Sequence, residues 1–153
     1  GIVGRVGVCT ASGPGIFTVN YAVVDDAIVF RTSPDGVLGT HANGSRIAFQ
    51  VDHVDYEYHR GWSVLATGRS QVLTRSDDLE HVRAVWDPRP WVGGSRELYV
   101  LLAWDELSGR QLGGGWNPRS RLPVCRTAAA AVPRSDAFPD WPDGRIGTGA
   151  YDV

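Results

Sequence analysis

Long stretches of this chain alternate apolar and polar residues with period two, and such a pattern buries its apolar side chains only when the chain runs as strands of a sheet. In IFTVNYAVV (residues 16–24), Phe17, Val19, Tyr21 and Val23 fall on one face, and Thr18 and Asn20 on the other. AIVFRT (27–32) follows across Asp25-Asp26, a tight turn, so these two segments are expected to form a hairpin. SRIAFQVD (45–52) alternates again, with Ile47, Phe49 and Val51 inward. GWSVLATGRSQVLT (61–74) reads as a strand long enough to bend around a barrel, and Gly68 inside it predicts a bulge or a close backbone approach. ELYVLLAWDELSGRQL (97–112) starts as a strand with Leu98, Val100, Leu102 and Trp104 on one face, and SGR (108–110) lies near its end. IVGRVGVCT (2–10) is the expected first strand, with Val3, Val8 and Cys9 partly buried.

The connections carry their own chemistry. ASGPG (11–15) joins two strands and is expected to be a hairpin turn. SPDG (33–36) is a turn, because Pro presets one φ and Gly permits a positive one. The VLGTHANG that follows has room for one or two helical turns at most, and HVDYEYHRG (53–61) reads as a long polar and aromatic hairpin loop. DDLEHVRAVW (77–86) changes period: Leu79, Val82, Val85 and Trp86 recur at helical spacing, Asp77 with Glu80 resembles a capping box, and Pro88 ends the helix. RPWVGG connects to the last strand. Beyond Leu112, five of the nine Pro residues fall in a segment with little periodicity, so residues 113–153 are expected to be an extension with weak structure of its own, pinned by Trp116, Phe138, Trp141 and Tyr151. The expected fold is mainly β with minor α: a small closed or partly closed antiparallel, Greek-key-like barrel over residues 1–112.

The composition excludes several chemistries. The formal net charge of -2 gives no reason to expect a nucleic-acid partner. All 15 basic residues are Arg, and without Lys no Schiff base to pyridoxal can form. Cys9 and Cys125 make no framework and no ligand pair, so both are read as ordinary thiols. No apolar run is long enough to cross a membrane and no leader pattern is visible, so a cytoplasmic location is expected. GxSxG, HExxH, P-loop and strand-borne GxGxxG signatures are absent. His53 and His59 lack a third ligand at suitable spacing for a metal, and Ser63 with Asp52 and a histidine lacks the spacing of a triad. No catalytic or metal-ligating residue is therefore assigned. What remains is a set of polar residues opposite the core: Thr18, Asn20, Arg31, Thr32, Gln50, Ser63 and Thr67.

The ordered series TVNY, IVFRT, IAFQVD, GWSVLATG, a helix, and a strand ending in SGR resembles the pyridoxamine 5'-phosphate oxidase-like family of FMN-binding split barrels, in its flavin/deazaflavin oxidoreductase branch. The resemblance covers residues 2–112. It implies a homodimer with FMN at the interface and a small-molecule substrate. It places Asn20 and Tyr21 beside the isoalloxazine ring, Arg31 and Thr32 along the ring edge and ribityl chain toward the phosphate, and Gln50 on the adjacent strand. Trp62 and Ser63 would contribute from the long strand and Arg110 at the dimer contact. Such a flavin would carry the redox chemistry while the protein supplies binding and orientation. Two departures stand out. Similar sequences place a phosphate-gripping Lys where this chain has Val37, and a helix that precedes the first strand in the family has no counterpart here. The first departure leaves two other readings open: a dissociable deazaflavin cosubstrate, or a non-catalytic split barrel that binds a small molecule or nothing. The Arg and His substrate signature of true pyridoxamine-phosphate oxidases is not recognisable around SGR.

Overall fold

The computed structural model describes residues 2–113 and the backbone of a short strand at 124–125. The elements run β1 (Val3–Thr10), β2 (Gly13–Val24), β3 (Ala27–Thr32), α1 (Val37–His41), β4 (Arg46–Asp55), β5 (Arg60–Val72), α2 (Ser76–Trp86), β6 (Leu98–Leu112) and β7 (Val124–Cys125). Hydrogen bonding follows the order β3-β2-β1-β4-β5-β6, and a further antiparallel pairing of β3 with β6 closes the ring. The expected barrel is therefore closed.

Turn chemistry sets the first hairpins. Asp25 and Asp26 both adopt positive φ, 47° and 63°, the left-handed conformation that a two-residue hairpin needs to match strand twist. Trp104 donates its indole N–H to the Asp26 carbonyl at 2.9 Å, tying the turn to β6. Gly13 at φ 118° ends the β1–β2 turn. In β5 the register slips between Thr67 and Gly68, where the Gly68 backbone lies against the Ala103 carbonyl of β6. The extra residue is Asp105 of β6, so of the two expectations for Gly68 the close backbone approach holds, opposite a bulge in the neighbouring strand.

Two cores share one wall. Inside the barrel Val6, Val8, Val19, Ile28, Phe30, Ile47, Phe49, Ala66, Val100 and Leu102 pack together with Leu38 of α1 and with Ala42, the residue that caps α1. Outside, Ala22, Val24, Val29, Leu73, Tyr99, Leu101 and Ala103 pack beneath Val82 and Leu79 of α2. β3 and the first half of β6 are thus buried on both faces, which explains why AIVF and LYVLLA are apolar without interruption.

Several local expectations are corrected. Val23 is exposed, while its neighbours Ala22 and Val24, on the opposite face of β2, are buried in the outer core with Val82 and Leu79 of α2. In β1, Val6 and Val8 are buried, whereas Val3 is 40 % exposed and Cys9 is exposed. Residues 53–61 do not form a long loop: β4 continues to Asp55, and only residues 56–59 turn. The helix starts at Ser76 with Arg75 as N-cap and makes no side-chain capping bond, so Asp77 lies inside the first turn rather than capping it. The last strand runs unbroken through SGR. Apart from β7, which pairs with Glu106 and Leu107, the expectations for residues 113–153 and their aromatic anchors fall outside the described residues. Among the described residues, no helix is long and apolar enough to cross a membrane, and no cluster of three or more His, Cys, Asp or Glu side chains could hold a metal.

Candidate functional site

The outer wall has two halves. One lies under α2. The other, formed by β2, β1, β4, β5 and β6, carries no helix among the described residues. Strand register lines up polar side chains on this bare half. One row runs Thr18, Arg5, Gln50, Leu65, Ser108. The next contains Asn20 opposite Val3, then Asp52, Ser63 and Arg110. At about 4.8 Å between neighbouring strands, five strands present a polar stripe roughly 19 Å wide.

The electrostatics of the stripe are partly settled. Arg5 donates to Asp52 at 2.5 Å, so the carboxylate in the stripe is paired. Arg46 grips Asp105 through both carboxylate oxygens at its edge. Arg110 is exposed and has no salt-bridge partner among the described residues. Leu65 and Val3 interrupt the polar surface and are 39 % and 40 % exposed.

Of the eight residues singled out in the sequence, Asn20, Gln50, Ser63 and Arg110 share this stripe. The other four do not. Tyr21 has the inward phase of β2 and packs edge-on against Phe49 with ring centroids 4.8 Å apart; burial pushes its phenol above the ordinary range, so it stays neutral at physiological pH. Thr32 is buried. Trp62 lies across from His53, their rings 6.3 Å apart. Arg31 points to the helix-covered half. Its Nε donates to the Arg96 carbonyl at 2.8 Å, its guanidinium lies 3.5 Å from Asp87, and it stacks over Tyr99 at 4.8 Å.

Tyr99 organises that corner. Its hydroxyl donates to Asp87 at 2.9 Å and accepts from Arg83 Nε at 3.4 Å, and Arg83 also lies over the ring. The loop from α2 to β6, residues 87–97, is held by barrel side chains at both ends. Arg31 takes its last turn, while Asn20 Oδ1 accepts from the Trp91 N–H at 2.8 Å and Asn20 Nδ2 donates to the Ile2 carbonyl at 3.2 Å. Among the described residues, each amide atom of Asn20 keeps one bonding position free. Sequence inspection missed Arg5 and Trp91. The alternation in residues 2–10 places Arg5 outward, a usable signal; nothing local marks Trp91.

Val37 opens α1 and is 41 % exposed. It lines a groove of about 330 Å³ with His41, Phe17 and residues 10–15, at the end of the barrel rather than on the stripe.

A closed ring of six antiparallel strands with one helix packed outside defines a split-barrel protein. The chain belongs to the pyridoxamine 5'-phosphate oxidase family, whose sequence pattern matches residues 1–111. An uncharacterized protein of Mycobacterium tuberculosis is 25% identical over 111 residues, covering 69% of this chain and 72% of that one. Among solved structures, a FAD binding protein from Mycobacterium smegmatis superposes with a TM-score of 0.61 at 21% identity, over 73% of this chain and 86% of that one. A FAD-binding protein from Mesorhizobium loti superposes with a TM-score of 0.54 at 21% identity, over 72% and 86% respectively.

Proposed function

We propose that this chain is a flavin-binding oxidoreductase that holds FMN across the bare polar stripe, at the interface of a cytoplasmic homodimer, and reduces or oxidises a small molecule. The observation that carries the proposal is the stripe itself, in a chain whose family pattern spans residues 1–111. The two solved structures of similar fold, both described as binding FAD, support a flavin here, and the choice of FMN rests on the family resemblance.

The residues present fit the group. A flavin needs a flat surface with a few placed polar groups at one end and donors for a dianionic phosphate at the other. Ser63 and Arg110, directly paired across β5 and β6, supply a hydroxyl and a guanidinium for the phosphate. Gln50 offers an amide to the ribityl chain, and Asn20 addresses the polar edge of the ring with its remaining N–H and lone pair. Asp52 lies in the same row but is neutralised by Arg5, which lowers the repulsion that it would otherwise exert on an anion. Arg31 and Thr32 act behind this surface by holding the wall and the 87–97 loop. FMN, once bound, supplies the hydride or electron chemistry, so no acid–base cluster is required.

The test is direct. The purified full-length protein, titrated with FMN, is expected to take on a flavin spectrum and to run as a dimer. A colourless protein that takes up no FMN overturns the proposal. The deazaflavin reading rests on the missing charge at Val37 and is favoured instead if the protein quenches deazaflavin fluorescence but ignores FMN. A protein that binds neither is a non-catalytic barrel.

A further inference from the structure

Trp91 is an unusual surface residue. Trp91 is 70 % exposed, and the next residue, Val92, is 64 % exposed. Large apolar groups on a loop commonly indicate either a slack segment or a presented surface, and these alternatives differ in how the backbone is held. Here the backbone is fixed at several points. The Trp91 N–H is bonded to Asn20, Arg96 O to Arg31, the Asp87 carboxylate to Tyr99, and Pro88 is fully buried. The loop is therefore pinned while Trp91 is held out beside Asn20. Ile2, whose carbonyl accepts from the other end of the Asn20 amide, is 57 % exposed at the same place.

We infer that Trp91 is the ring-stacking residue of the site, setting its preference for a planar heteroaromatic ligand, and that Asn20 positions it. This rests on the flavin reading above. Asn20 joins two functions. Its Oδ1 fixes the Trp91 backbone at 2.8 Å, and among the described residues its second N–H and second lone pair are not engaged, so a polar rim beside Trp91 has a donor and an acceptor within the same side chain. An aromatic face next to a donor–acceptor pair matches a flat ring with a polar rim. An aliphatic ligand would use neither half of that combination.

The experiment compares FMN with lumiflavin, which has the same ring but no phosphate, on wild-type protein and on Trp91→Ala, Trp91→Phe and Asn20→Ala. Binding is read by flavin fluorescence and by the visible circular dichroism of the bound ring. Trp91→Ala is expected to weaken both ligands by about tenfold or more, equally for the two, with loss of the ring's dichroic signal. Trp91→Phe is expected to keep most of the affinity, because a phenyl face still stacks. Asn20→Ala is expected to weaken both ligands and to reduce the dichroic signal, since it frees the loop. Thermal unfolding should be little changed in the Trp91 variants, whose side chain is exposed. If the wild type binds FMN and Trp91→Ala binds both ligands as well, the inference is wrong and the flavin reading stands. If the wild type binds neither ligand, both are wrong.

Discussion

Gly68 of β5 lies so close to the Ala103 carbonyl of β6 that a Cβ on Gly68 would overlap the Ala103 oxygen and crowd the Trp104 backbone. The obstruction is backbone on both sides, so no rotamer change relieves it. Gly68→Ala is expected to destabilise the fold by about 1–3 kcal/mol or more through strand displacement. Urea unfolding checks this, and a midpoint equal to wild type would show that the two strands separate freely at the bulge.

The shared wall predicts an ordering of core substitutions. Leu102 is fully buried inside the barrel, opposite Ile28 of β3. Leu102→Ala should cost about 2–5 kcal/mol. Val82 is equally buried but lies in the outer core under α2. Val82→Ala removes two methyl groups and should cost roughly 1–2 kcal/mol. Chemical denaturation of the two variants measures the difference.

Tyr99→Phe keeps the ring beneath Arg31 and Arg83 and removes only the hydroxyl that bonds to Asp87 and Arg83. The expected loss is about 1 kcal/mol, with Asp87 left to water and Arg31. Hydrogen exchange should accelerate in residues 87–97 more than in β4, because the hydroxyl holds the start of that loop. Uniform acceleration would assign Tyr99 to the barrel as a whole instead.

Asp55 gives the β4–β5 turn a pH dependence. The Tyr58 N–H, and then Arg60, hold its carboxyl below the ordinary range. A depressed folded-state pKa means that the unfolded chain binds the proton first as pH falls. The stabilisation is complete above the ordinary carboxylate range and is lost as pH drops through the lower, folded value. The melting temperature followed from neutral to about pH 3 should fall less in Asp55→Asn than in wild type, and parallel curves would remove Asp55 as a contributor.

Much of the barrel was legible because its signals are local. Alternation in residues 16–24 and 45–52, the Asp25-Asp26 turn and the close approach at Gly68 each depend on a few adjacent residues. The two-sided burial of β3 was not, since a continuous apolar run does not say what covers its second face. The β4–β5 turn was misjudged because Tyr56 and Tyr58, 83 % and 63 % exposed, made a short turn look like a long aromatic loop. The candidate site divides in the same way. Asn20, Gln50, Ser63 and Arg110 share a face that follows from strand phase and register. The bonds that engage Asn20 and Arg31 with the 87–97 loop cross 71 and 65 residues, and no short-range pattern encodes them.

The closing seam between β3 and β6 also bears on how the barrel assembles. It joins residues 28–32 to residues 98–102, roughly seventy positions apart, while the other neighbours in the hairpins β1–β2, β2–β3 and β4–β5 meet across tight turns. Hairpins can zip early at little entropic cost, but the seam must wait for the intervening chain to be ordered. Until it forms, two of the most apolar strands expose their edges together. The interval before closure is therefore when nascent chains are most prone to pair with one another, and protein recovered on refolding should fall with increasing concentration even though the finished ring leaves neither strand edge open.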